Sequence, residues 1–147
     1  MITWTIKKFD DLSPHELYTI LRLRSEVFVV EQNCVFLDMD NKDQSSYHLM
    51  GWRNGQLVTY TRLVQPGIAY AEPSIGRVVT SPSARGTGIG KLVMEKSIEE
   101  AERLFGKKAI KIGAQLYLKK FYHSFGFEQS SDIYDEDGIE HIEMTRE

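Results

Sequence analysis

The sequence predicts a single-domain α/β fold: one mixed, mostly antiparallel sheet flanked by helices. Three observations carry that expectation. Asn54-Gly55 and Asp137-Gly138 each sit between apolar-rich runs of strand character, the pattern of tight β-hairpins. Apolar residues recur at helical spacing in two other segments, 14–28 and 89–105. A glycine-rich stretch from Arg85 to Gly90 joins a short apolar strand to the second of those helices, the junction expected inside a parallel strand pair.

Each element follows from its residues. Ile2 to Lys8 alternates and reads as a strand. Ser13-Pro14-His15-Glu16 opens a helix: Ser13 caps, Pro14 fits the first helical position and Glu16 completes a capping box. Leu17, Ile20, Leu21, Val27 and Phe28 then keep helical spacing to about Phe28. Glu31 to Ser45 is polar and irregular. Tyr47 to Arg53 and Gln56 to Val64 form a hairpin, which Pro66-Gly67 ends. Ile75 to Thr80 is a short strand stopped at Ser81-Pro82; Ile89 to Phe105 is a helix; Lys108 to Ala114 is a strand. Leu116 to Ser124 is a short helix ending at Gly126, and Phe127 to Tyr134 pairs with Ile139 to Thr145. The order is β-α-β-β-β-α-β-α-β-β.

Composition narrows the function. At 147 residues, 41% hydrophobic and 27% charged, the chain suits one domain, 1–147, with a real core. No signal peptide and no membrane span are expected from its apolar runs. Cys34 is the only cysteine, which fits a reducing, cytoplasmic location and a buried thiol. No ligand spacing suggests a metal. The net charge of −3 is unevenly spread: nine Lys/Arg and four Glu between Arg85 and Lys120 leave +5 there and −8 elsewhere. A bound anion suits the basic segment. The stretch Glu31 to Asp43 carries Glu31, Asp38, Asp40 and Asp43 against Lys42 and is expected to steer a cationic acceptor.

In Arg85-Gly86-Thr87-Gly88-Ile89-Gly90-Lys91, alternate glycines bring the backbone close to a ligand, and the N–H groups of the following helix face it with the positive end of the helix dipole. That describes a phosphate site. A Walker A loop is excluded because Arg85 stands where its first Gly belongs and Leu92 follows Lys91. A dinucleotide fingerprint fails because Lys91 replaces its third Gly.

The pattern Arg-x-x-Gly-x-Gly resembles the GNAT (Gcn5-related N-acetyltransferase) superfamily. A second motif agrees: Gln115-x-x-Leu118-x-x-Phe121-Tyr122-x-x-x-Gly126-Phe127, with Gln115 and Leu118 where the family usually has Asn and Ala. The run Arg24-x-x-Val27-Phe28-Val29-Val30-Glu31-Gln32-x-Cys34, with Asp38-x-Asp40 and His48-Leu49-x-Gly51-Trp52, resembles its ElaA-like branch, as does Glu136-Asp137-Gly138-Ile139-x-His141. The resemblance implies a V-shaped splay between two central parallel strands. It implies acetyl-CoA as cosubstrate, an amine acceptor, no nucleic acid and no membrane, and it leaves a homodimer open. By resemblance, Arg85, Gly86, Thr87, Gly88, Ile89 and Gly90 hold the pyrophosphate with Lys91 close by. Val78, Val79 and Thr80 bond the pantetheine arm, and Gln115 and Phe121 adjoin the cofactor.

Acyl transfer to an amine adds three requirements. An N–H freed by a strand bulge must polarise the carbonyl, and Val79 or a neighbour is the expected donor. Tyr122 matches the family's general acid. A base must take a proton from the acceptor, more so for a lysine-like amine (pKa about 10.4) than an α-amine (about 7.8). Glu31, His48, Glu72 and His141 are candidates; Glu31 is favoured because it opens the loop after the first helix. The competing function is a silent acyl-CoA-sensing module of the same fold.

Overall fold

Asn54 and Gly55 both take positive φ, 52° and 76°, and turn β2 (Ser46–Arg53) back on β3 (Gln56–Val64). Around this hairpin forms an antiparallel sheet in the order β1-β2-β3-β4, with β1 at Thr3–Lys8 and β4 at Ser74–Thr80. A second antiparallel sheet has the order β5-β8-β6: β5 is Ile110–Gln115, β6 Phe127–Gln129 and β8 Ile139–Arg146. The short β7, Tyr134–Glu136, also pairs with β8 through the turn at Asp137-Gly138. The structure, a computed structural model, describes residues 1–147.

The Lys111 N–H donates to the Pro73 carbonyl at 3.1 Å, joining the two sheets where β4 and β5 begin. No ladder follows between these two strands, so they splay into a V. Three helices flank it. In α1 (Pro14–Arg24) the capping box is complete: Ser13 Oγ accepts from the Glu16 N–H at 3.0 Å, and the Ser13 N–H donates to Glu16 Oε1 at 2.8 Å. The periodicity does not run on as α-helix to Phe28; from Ser25 to Glu31 the chain widens into π-helical turns. α2 spans Ile89–Phe105, and α3 is Lys119–His123.

The larger apolar cluster lies beneath the splay, where Met94, Ile98 and Ala101 of α2 meet Leu63, Ile75, Ile112, Ile142 and Met144. A smaller one packs Ile20, Leu23 and Val27 against Met50, Leu57, Tyr60 and Val79. Each such side chain contributes about 1.5–3 kcal/mol on burial; the larger cluster joins the two arms of the V, and the smaller one fixes α1 to the first sheet. The strand expected over Phe127 to Tyr134 is divided into β6 and β7. Between them Ser130 N–H donates to the Glu143 carbonyl and Ser131 Oγ accepts from the Glu143 N–H, both at 2.8 Å, so serines satisfy β8 where a ladder would.

Candidate active site in the splayed cleft

Strand β4 carries a bulge beside the splay. Arg62 faces Gly76 and Tyr60 faces Val79, so Arg77 and Val78 together oppose Thr61. Arg77 takes the left-handed conformation, φ 50°. The Ser81 N–H donates to the Val58 carbonyl at 2.8 Å, which makes that pair a hydrogen-bonded one; two residues on, Tyr60 and Val79 are the next. The Val79 carbonyl accepts from Thr59 Oγ1 on β3 at 2.9 Å, confirming that Val79's polar groups face β3. The expectation that Val79 offers a free N–H is therefore corrected. Its donor is turned into the ladder, and strand alternation turns the backbone groups of its neighbours Val78 and Thr80 the other way.

The cleft between β4 and β5 has a volume of about 520 Å³. Val78, Val79, Thr80, Arg85, Gly90, Gln115, Phe121, Tyr122 and Glu31 line it. Gly86, Thr87, Gly88, Ile89 and Lys91 do not line it and instead form the loop and helix start beside it. The Ile89 side chain is buried against Val58 and Ala84, leaving only its backbone for a ligand. Gly86 and Gly88 both have φ of 80°, with no atom within 4 Å of where a Cβ would stand. No side chain caps α2, and the N–H groups from Gly86 to Lys91 bond no protein acceptor. Six unpaired donors on an open glycine turn, with the dipole behind them, fit a diphosphate.

Tyr122, only 7% exposed, is held between Phe121 and Phe127 by edge-on contacts at 5.2 and 6.2 Å. Burial pushes its hydroxyl pKa well above the ordinary value. No protein group bonds that hydroxyl, which is left to the cleft. At the far end His141 lines the same space. Its Nδ1 lies 2.8 Å from the Ile139 carbonyl, which in the neutral ring leaves the Nε2 lone pair free; Glu136 lies 3.5 Å from Nε2.

The other base candidates are used differently. Glu31 is clasped by Arg85 at 2.6 and 2.7 Å, and that hydrogen-bonded guanidinium holds its carboxyl below the ordinary range, so it is a weakened base. His48 is fully buried between the Tyr60 hydroxyl (2.7 Å) and the Asp43 carbonyl (2.9 Å), and burial lowers its pKa. Glu72 lies outside the cleft. Gln115 spans the cleft to exchange bonds with Gln32 at 3.4 Å. Cys34 is buried, its thiol donating to the Asp137 carbonyl at 3.2 Å.

The aspartates of the acidic loop are already paired, against the expectation that they are free to steer a cation. Asp38, Asp40 and Asp43 belong to a closed ring of alternating charges with three arginines. Arg24 meets Asp38 (2.8 Å) and Asp43 (2.7 Å); Arg62 meets Asp43 (3.0 Å) and Asp40 (2.8 Å); Arg77 meets Asp40 (3.4 Å) and Asp38 (2.8 Å). The last contact is an ion pair whose angle falls short of a hydrogen bond. Arg24, 0% exposed, also lies over the Tyr60 ring. The arginines come from α1, β3 and β4, so no local reading of the loop shows its charge cancelled. Arg77, Phe28, Phe36 and Ile139 also line the cleft, and no sequence motif marked Arg77 or Phe36.

The family model of the acetyltransferase (GNAT) domain matches residues 10–147. The chain belongs to the GNAT acetyltransferase family. Protein ElaA of Escherichia coli is 41% identical over 149 residues, covering 100% of this chain and 97% of ElaA. A UPF0039 protein of Synechocystis is 45% identical over 144 residues, 97% of this chain and 94% of its own length. The crystal structure of E. coli ElaA superposes with a TM-score of 0.93 at 40% identity over all of both chains. That of an acyl-CoA N-acyltransferase from Pseudomonas aeruginosa does so at 0.96 and 43%, again over all of both. Within this GNAT fold, the splay, the bulged β4 and the glycine turn stand around one cleft.

Proposed function

We propose that this GNAT protein transfers an acetyl group from acetyl-CoA to an amine of a small molecule or peptide, by direct attack in a ternary complex. The observation that carries the proposal is a cleft lined by a bulged strand edge and the unpaired hydroxyl of Tyr122, with six unpaired loop and helix N–H groups beside it. The loop from Gly86 to Lys91 holds the diphosphate, and the edge of Val78 and Thr80 bonds the pantetheine arm. Val78, in place of Val79, offers its N–H to the thioester carbonyl oxygen as negative charge develops there. One such positioned donor supplies about 3 kcal/mol.

The acceptor nitrogen forms its bond to the carbonyl carbon as the carbon–sulfur bond breaks. His141 Nε2 takes the proton the nitrogen loses, and Tyr122 donates its hydrogen bond or proton to the departing sulfur. With its pKa raised, Tyr122 stays protonated through the physiological range and is always ready as a donor. The gain from each such group is about 10²- to 10⁴-fold.

The test is release of CoA thiol from acetyl-CoA in a pooled screen of small amines and peptides. Thiol released with one amine, and reduced in Tyr122→Phe, supports the proposal. Tight acetyl-CoA binding with no turnover across the pool would instead identify a sensing module.

A further inference from the structure

Five non-glycine residues have positive φ: Asn33, Asn41, Asn54, Asp137 and Arg77. Asn and Asp tolerate that conformation because their short polar side chains bond locally. Arginine has no such means, so Arg77 must be held by what surrounds it. The structure shows the holder. Arg77 Nη2 donates to the Asp38 carbonyl at 2.8 Å, Arg77 Nε lies 2.8 Å from the Asp38 carboxylate, and Asp40 stands 3.4 Å from Nη2. The guanidinium carbon lies 5.9 Å from the Phe36 ring centre.

Both aspartates are fixed from behind. Asp38 is bound to the fully buried Arg24, and Asp40 receives a two-pronged contact from Arg62 at 2.8 Å on each oxygen. Arg62 sits on β3 opposite Gly76, the residue just before the bulge. The ring therefore grips the bulge from both strands that form it. We infer that Asp38 and Asp40 are positioning residues for acyl transfer: by holding the Arg77 side chain they keep residue 77 left-handed and aim the Val78 N–H into the cleft. The inference deepens the acyltransferase reading and rests on it for its catalytic meaning, but the bulge itself can be tested without a ligand.

Amide hydrogen exchange by NMR on the free protein reads the bulge. Val79 is expected to be protected and Val78 to exchange fast. Asp38→Asn should erase that contrast, and adding Arg77→Gly should restore it, because glycine adopts positive φ unaided. Binding reads the consequence. Calorimetry with acetyl-CoA and with S-ethyl-CoA, the thioether lacking the carbonyl oxygen, measures what the Val78 donor contributes. One hydrogen bond gives acetyl-CoA roughly a three- to tenfold preference. That preference should be lost in Asp38→Asn and Arg77→Ala, largely kept in Arg77→Gly and regained in the Asp38→Asn/Arg77→Gly pair. Asp40→Asn, at a less buried carboxylate, carries the same comparison if Asp38→Asn does not fold. Unchanged exchange and preference in both Asn variants would overturn the inference, as would equal losses in Arg77→Gly and Arg77→Ala. If wild type binds neither compound, the acyl-CoA reading falls, and the exchange contrast alone decides whether the ring sets the bulge.

Discussion

Arg85 and Glu31 meet across the mouth of the cleft, two guanidinium nitrogens lying 2.6 and 2.7 Å from two carboxylate oxygens. The same arginine borders the glycine turn proposed to hold a diphosphate, so ligand and carboxylate compete for it. Both side chains are substantially exposed, and exposed pairs are weak, with an effect of about 1.5- to 5-fold. Glu31→Gln should therefore tighten acetyl-CoA binding by roughly that factor and steepen its salt dependence, as measured by calorimetry at two ionic strengths. Turnover should survive the change, because a carboxylate held below its ordinary range is not the base. A drop in kcat of a hundredfold would return that role to Glu31.

The glycine turn makes a separable prediction. Around Gly88 there is room for a side chain, but its φ of 80° is unfavourable for one. Gly88→Ala should cost stability by about 1 kcal/mol through backbone strain and weaken acetyl-CoA modestly. Gly88→Asp adds a negative charge before the helix start and should weaken acetyl-CoA far more than Gly88→Ala at similar stability. Equal affinities for the two variants would remove the phosphates from this loop.

Tyr122→Phe keeps the ring packed against Phe121 and Phe127 and removes a hydroxyl that no protein group bonds. The melting temperature and acetyl-CoA affinity should hardly move, while kcat falls tenfold or more where chemistry limits the rate. With the Tyr122 pKa raised by burial, its ionisation should not appear as a falling limb of the wild-type rate below about pH 10, the ordinary tyrosine value. Unchanged kcat under those conditions would reject the acid role.

His141→Gln should discriminate among acceptors. An amine of pKa about 10.4 is almost wholly protonated at pH 7, and one near 7.8 is partly neutral. If His141 takes the proton, its loss should slow lysine-like amines by a larger factor than α-amines, and raising the pH should narrow the gap. Equal losses for both classes would leave His141 only a wall of the cleft.

Acid should unfold the protein in two stages. Burial lowers the His48 pKa, so the unfolded chain binds the extra proton first, and stability should begin to fall as pH drops below about 6.5. Burial alone would raise the Asp40 and Asp43 carboxyls, but bonds from Arg62 and Arg24 outweigh it and hold both below the ordinary range. Their contribution is present above about pH 3.9 and is lost as pH falls through the depressed values. Urea denaturation at pH 8, 6, 5 and 3.5 measures both limbs. Asp43→Ala, which leaves the buried Arg24 and Arg62 one carboxylate short, should cost about 3–5 kcal/mol at pH 8.

Local chemistry was enough to determine much of this protein. The capping box at Ser13, the Asn54-Gly55 and Asp137-Gly138 turns, the span of α2 and the open glycine turn all depend on residues within a few positions of one another, and all appear in the structure. Tertiary structure decided what depends on partners distant in sequence. The charges of Asp38, Asp40 and Asp43 look free along the chain, yet Arg24, Arg62 and Arg77 cancel them from three separate elements. Glu31 looks like a base until Arg85, 54 residues away, takes it. The turn of Val79 into the ladder follows from one extra residue in β4 against β3, a register that alternation within a single strand does not encode. Sequence sets what each residue is able to do; the register and the long-range ion pairs select which polar groups remain free in the cleft.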